Sequence, residues 1–234
     1  MRARLGTALV LAMIAVISGG SASASAATQL GSSSFVPANF CGPDTTYIQT
    51  VSPGPQYSAP FSGVITSWSF QPGAVVPTTI KLKVGRTAPG ADLTNSTNIM
   101  IVGESATETP SGTGLNTFPT RIPVQAGDHI GDYITGTGNV NCATQINAYT
   151  DQYDSTDTPV GTTRLFTAEN FQEDISALLE PDADHDGFGD ETQDQCPTNA
   201  ATQGPCPAPK KKCKHKKKHK SAAVVAKKCK KKHH

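Results

Sequence analysis

Apolar and polar residues alternate in short runs along most of this 234-residue chain. Ile80, Leu82 and Val84 alternate with Lys81, Lys83 and Gly85, the period of two expected of a half-buried strand. Val64, Trp68 and Phe70 share one side of an earlier run, with Ser67 and Ser69 on the other. Residues 98–102, 121–124, 130–134, 142–149, 163–167 and 175–179 continue the series. Ala88-Pro89-Gly90, the glycines at 112 and 114, Ala126-Gly127-Asp128 and Gly136-Thr137-Gly138 supply the breaks. Residues 168–178 have some helical character, but Ile175, Ala177 and Leu179 fit a last strand equally well. The expectation for residues 35–180 is therefore an all-β body, an antiparallel β-sandwich or jelly roll with one core. Trp68, the sole tryptophan, lies within an alternating apolar face and reads as core rather than as a sugar-binding platform.

What precedes the body changes its compartment. Residues 1–26 read as a secretory signal peptide: Arg2 and Arg4, an apolar centre over 5–17, and a small-residue cleavage site at Ala24-Ser25-Ala26. The apolar centre is too short for a membrane span and breaks at Ser18-Gly19-Gly20. A secreted or cell-surface-associated protein is expected.

Charge is segregated along the chain. The net charge of +1 hides 19 acidic residues, all before Gln195, and 13 lysines between Lys210 and Lys232. Residues 27–209 hold five basic residues against those 19 acids, a balance of −14, while the tail stands at +13. Residues 208–234 read as a disordered Lys/His/Cys-rich tail whose partners are polyanions. For an exported protein these are anionic envelope polymers or acidic polysaccharide. Extracellular DNA and the acidic body itself are further partners of the same chemistry. Nothing supplies sequence-specific nucleic-acid readout, and binding would be salt-sensitive.

Six cysteines in an exported chain favour disulfides. Nearest-partner logic pairs Cys41 with Cys142, Cys196 with Cys206, and Cys213 with Cys229. Zinc is the alternative for the tail cysteines and histidines, but no compact C-x₂-C pair is present.

The most specific chemistry lies in residues 181–207. Asp182, Asp184 and Asp186 alternate, Gly187 follows, and Asp190 and Asp194 close the run. Alternating carboxylates around a turn-forming glycine suit Ca²⁺, which takes roughly six to eight oxygens at roughly 2.3–2.6 Å. An EF-hand would place a bidentate Glu where Gln193 stands and would have flanking helices, whereas Pro181 and Cys196-Pro197 bound this run. The run instead resembles a thrombospondin type 3 repeat, in which D-x-D-x-D-G-x-x-D is followed by further Asp and Cys-Pro. The match covers Asp182 to Pro197 alone, with Asp194 and Cys196 one residue later than in the commonest spacing. The resemblance implies Ca²⁺ held by Asp182, Asp184, Asp186 and Asp190, with the Phe188 carbonyl and Asp194 contributing. It also implies a role in adhesion. A segment of this kind is expected to be loose without metal and ordered with it.

No nucleophile elbow, H-E-x-x-H, phosphate-binding loop or dinucleotide fingerprint occurs. His129, beside Asp128 in a Gly-Asp turn, reads as structural. The acid pairs Glu104/Glu108 and Asp151/Asp154 read as solvated loop acids rather than a glycosidase pair. The expected function is thus non-enzymatic: a calcium-binding structural or cell-surface interaction protein. A carbohydrate-binding module is the alternative, and a glycan-active hydrolase ranks below it.

Overall fold

A computed structural model of the chain describes residues 26–138 and 140–209. The expected signal peptide up to residue 25, and the basic tail from residue 210 with Cys213 and Cys229, lie outside the described residues. The all-β expectation holds. The strands are β1 (Thr28–Ser32), β2 (Asn39–Cys41), β3 (Thr45–Val51), β4 (Gly63–Phe70), β5 (Thr79–Thr87), β6 (Thr97–Glu104) and β7 (Asn116–Val124). They continue with β8 (His129–Thr135), β9 (Val140–Gln145), β10 (Thr150–Asp154), β11 (Thr163–Glu169), β12 (Phe171–Glu173) and β13 (Ile175–Pro181). Every strand pair is antiparallel.

These strands divide into three groups. Strands β10-β11-β6-β5-β8-β3 close into a six-stranded barrel, β1-β13-β4-β7 form a four-stranded sheet, and β12-β9-β2 form a small third sheet. Ile48, Ile99, Ile101 and Phe166 come from barrel strands alone and form one apolar cluster. The larger cluster joins all three groups: Leu82, Val84 and Ile130 from the barrel, Trp68, Phe70, Ile122 and Leu179 from the four-stranded sheet, and Val140 and Ala143 from the third. Trp68 is fully buried and packs against Phe118, the rings tilted by 43° with centroids 4.8 Å apart.

The residues 168–178 become the end of β11, then β12 and the start of β13, with no helix among the described residues. Residues 28–32, which lie before the expected start of the body at residue 35, form β1. Leu30 is fully buried, and Thr28 to Ser32 pair with Leu179 to Ile175 of β13. The turn at Ala126-Gly127-Asp128 joins β7 to β8. Its Gly127 has φ +88°, a conformation side chains with a Cβ rarely adopt, and the Asp128 amide donates to the Gln125 carbonyl (3.0 Å).

One detail of the alternation reading is corrected. Lys83, taken as the outward residue of a half-buried strand, is fully buried. Barrel closure covers both faces of β5, so its polar positions are enclosed as well. The Lys83 ammonium pairs with Glu104 and Asp157 and donates to the Thr158 carbonyl (3.0 Å).

Candidate calcium site

The acidic segment begins where β13 ends, and Glu180 attaches it to the sheet. This buried carboxylate accepts from Thr66 Oγ1 (2.8 Å), Thr192 Oγ1 (2.7 Å), the Thr192 amide (2.9 Å) and the Glu191 amide (3.0 Å). Burial works against its charge, but bonds from Thr192, Thr66 and Glu191 outweigh burial and hold the carboxyl below the usual glutamate range. Two further contacts dock the segment on β7. Gln193 Nε2 donates to the Thr120 carbonyl (2.9 Å), and the Arg121 guanidinium lies 4.1 Å from the Phe188 ring centre. Gln193 therefore packs against the body from the position where an EF-hand would carry its bidentate ligand.

Within the loop the aspartates organise the backbone. Asp182 accepts from the Asp186 amide (3.1 Å) and the Gly187 amide (3.0 Å). That turn puts His185 at φ 60° and Gly187 at φ +84°, which is the physical reason for glycine at 187. Asp186 accepts from the Phe188 amide (2.9 Å) and from Gln203 Nε2 (2.8 Å). The Asp190 amide donates to the Pro181 carbonyl (2.9 Å), while its carboxylate accepts from the Ala183 amide (3.2 Å). Residues 181 and 190 are thereby closed into a ring.

The carboxylates of Asp182, Asp184 and Asp186 converge, with one oxygen from each lying within 4.8 Å of the others. Oxygens that share one Ca²⁺ at roughly 2.4 Å have about this spacing. Both oxygens of Asp184 are enclosed and receive no hydrogen bond. Asp194 is buried: one oxygen accepts from the Cys196 amide (2.8 Å) and the other has no donor. Burial raises the Asp190 carboxyl above the usual aspartate range; the Ala183 amide opposes that, and the charges of Asp182, Asp184 and Asp194 add to it. Enclosed carboxylate oxygens without donors, beside other carboxylates, are an electrostatic cost that a bound cation removes. The donor set fits a hard cation, and Asp194 belongs to the same charge cluster.

The Cys196–Cys206 disulfide closes the segment behind the loop, and the Gln195 amide donates to the Gln203 carbonyl (2.9 Å) across that ring. Cys41 is likewise bonded to Cys142, as nearest-partner logic expected. On the far side, the Ala27 amide donates to Glu191 Oε1 (2.6 Å), which ties the start of β1 to the acidic segment.

Outside the loop, His129 is buried, with Nδ1 3.1 Å from the Gln49 carbonyl. Burial lowers its pKa below the usual histidine value, so the ring is neutral. The reading of Asp151 as a solvated loop acid is overturned, because Asp151 sits in β10 and is 1 % exposed. Asp154 lies on the other face of that strand, near Arg164 (3.6 Å). Glu104 is the partner of Lys83 and not of Glu108. Asp132, Asp151, Glu173 and Asp174 are all buried, and of these the sequence singled out Asp151 alone. A signal existed for Asp132: it occupies the apolar side of the Ile130–Ile134 alternation.

Comparison with protein-family models, with curated proteins and with solved structures finds no match to this chain.

Proposed function

We propose that this is an exported calcium-binding structural or surface-interaction protein. Its β body would present an interaction surface, the segment 181–207 would hold Ca²⁺, and the basic tail would keep the protein near anionic envelope polymers. The carrying observation is the pair of donor-less Asp184 oxygens enclosed by Asp182 and Asp186. The two disulfides suit an oxidising, extracellular setting.

The alternatives draw less support. A carbohydrate-binding module reads sugars with exposed aromatics, but Trp68 is buried and Phe40 is the one large exposed aromatic among the described residues. A glycan hydrolase needs an acid pair that a substrate reaches. The close pair here, Asp151 and Glu173, lines none of three clefts of about 500, 360 and 180 Å³.

Isothermal titration of the mature chain with Ca²⁺ tests the metal reading. Binding heat is expected for the wild type, with at least a tenfold loss of affinity in Asp184→Ala. Heat of the same size in both proteins would remove the site. For the tail, retention on isolated cell wall is expected to fall steeply between 50 and 300 mM salt, as counterion release requires. Retention that survives deletion of residues 208–234 would refute tail anchoring.

A further inference from the structure

A second group of carboxyls lies in the interlayer between the barrel and the β12-β9-β2 sheet, far from the calcium segment in the fold. Antiparallel register sets Asp132 of β8 opposite Tyr47 of β3 and Leu82 of β5, and Asp151 of β10 opposite Gln49 of β3. All of these point to the barrel's outer face, where Leu82 and Tyr47 join the large core. Glu173 of β12 enters the same layer. Its amide donates to Gln49 Oε1 (2.8 Å), its carbonyl accepts from the Tyr57 hydroxyl (2.6 Å), and its Oε2 lies 3.9 Å from Cys41 Sγ of the disulfide.

Asp132, Glu173 and Asp174 are 0 % exposed and Asp151 is 1 % exposed. Both oxygens of Asp132 and of Asp174, Oδ2 of Asp151 and Oε1 of Glu173 are enclosed without a hydrogen-bond donor. Asp151 Oδ1 accepts the Phe171 amide (3.0 Å), and the Glu173 carboxyl lies beside Asp151. Among the described residues no cation reaches this layer, because all five basic residues of the body are committed elsewhere. Lys81 and Lys83 hold Asp157 and Glu104, Arg86 holds Asp128, Arg164 faces Asp154, and Arg121 covers Phe188. The other titratable neighbours are Glu169 of β11, Tyr47 and Tyr57, and neutral His129 lies further along β8.

Four uncompensated carboxylates in such a layer would cost far more than a domain's stability. Among the described residues the carboxylates of Asp132, Asp151 and Glu173 do not gather within 4.8 Å as those of Asp182, Asp184 and Asp186 do, and the two cysteines beside Glu173 are bonded to each other. A carboxylic acid, by contrast, carries no charge and becomes a donor to a neighbouring carboxyl oxygen. We propose that the interlayer is a proton-binding site: protons held among Asp132, Asp151 and Glu173 seat the β12-β9-β2 sheet on the barrel, and their release to solvent at alkaline pH loosens it.

Each shift has the direction this requires. Burial, then the charge of Asp151, raises Asp132 well above the aspartate range. Burial, then Asp132 and Asp151, does the same for Glu173. Burial and Glu169 push Asp151 up to about 7 against the bonds from Glu173 and Phe171, and burial pushes Asp174 up to about 8. Because the folded pKa values exceed the unfolded ones, near 4, the folded chain holds more protons above that pH. Stability is therefore full below about pH 4 for these groups. It declines as pH rises through about 7 and 8, by about tenfold in the folding equilibrium for each proton and pH unit.

The test is denaturant unfolding of the mature chain from pH 5 to 9, in an Asp184→Ala background so that calcium-loop titration stays out. Hydrogen exchange of β9 and β12 amides is followed alongside. Stability is expected to fall at least tenfold across that range, with protection of residues 171–173 lost first. Asp151→Asn and Glu173→Gln should flatten the slope and be the more stable forms at pH 9. Should the variants not fold, wild-type unfolding in weak buffer at pH 7 is expected to release at least one proton per chain. A flat profile, no proton release, or a slope abolished by one bound Ca²⁺ or Mn²⁺ per chain would each overturn the proposal.

Discussion

Removing the two carboxylates that face Lys83 is expected to destabilise the protein more than removing Lys83 itself. In the Glu104→Gln/Asp157→Asn double variant the ammonium stays at 0 % exposure with the Thr158 carbonyl as its remaining close partner. Breaking a buried pair so that one charge is left uncompensated costs about 3–5 kcal/mol. In Lys83→Met the stranded groups are carboxylates about a third exposed, at 32 % and 36 %, and Lys81 still reaches Asp157 at 2.7 Å. Solvent and Lys81 then screen what is left, and the loss should stay below about 2 kcal/mol. Adding Lys83→Met to the double variant should restore most of its stability. Urea unfolding of the four proteins decides it: equal losses, or no rescue, would show that the ammonium is not held by these two partners.

Loss of the Cys41–Cys142 disulfide is the other large effect expected. It joins β2 to β9 across 101 residues, and a loop of that length restrains the unfolded chain by about 4.7 kcal/mol. Cys196–Cys206 spans 10 residues, and its restraint is about 2.7 kcal/mol on the same scaling. Cys41→Ser/Cys142→Ser should therefore lower the melting temperature of the whole body and expose Glu173, which packs beside the bond. Cys196→Ser/Cys206→Ser should leave body unfolding nearly unchanged and act mainly on Ca²⁺ affinity. Calorimetry with and without Ca²⁺ separates the two. A larger global loss from the short disulfide would contradict the assignment.

Much of this was legible in local pattern. Period-two alternation located β4, β5, β6 and β8, and the Asp-x-Asp-x-Asp-Gly spacing located the converging carboxylates of Asp182, Asp184 and Asp186 because they are close in sequence. What alternation could not reveal is which polar face closure would cover. Lys83 looks like any outward lysine until β5 is enclosed between β6 and β8. β1 escaped because Leu30 is its one large apolar residue, and its pairing with β13 spans most of the chain. Asp132 and Glu173 meet only through β8 and β12, so their shared burial is a tertiary fact with a faint local trace. The docking of Gln193 on Thr120 is of the same kind.

The contact between Ala27 and Glu191 bears on how the protein matures. The amide donating at 2.6 Å belongs to the residue just after the expected cleavage point. Cleavage after Ala26, if it occurs, would turn that nitrogen from a neutral peptide group into an ammonium with three donors, placed on a carboxylate beside Asp190. Processing would thus deliver a positive charge to the rim of the acidic segment. An affinity tag fused ahead of Ala27 would keep that nitrogen a neutral amide and should strengthen Ca²⁺ binding measurably, while the same tag at the C-terminus should not. Glu191→Gln should abolish that difference.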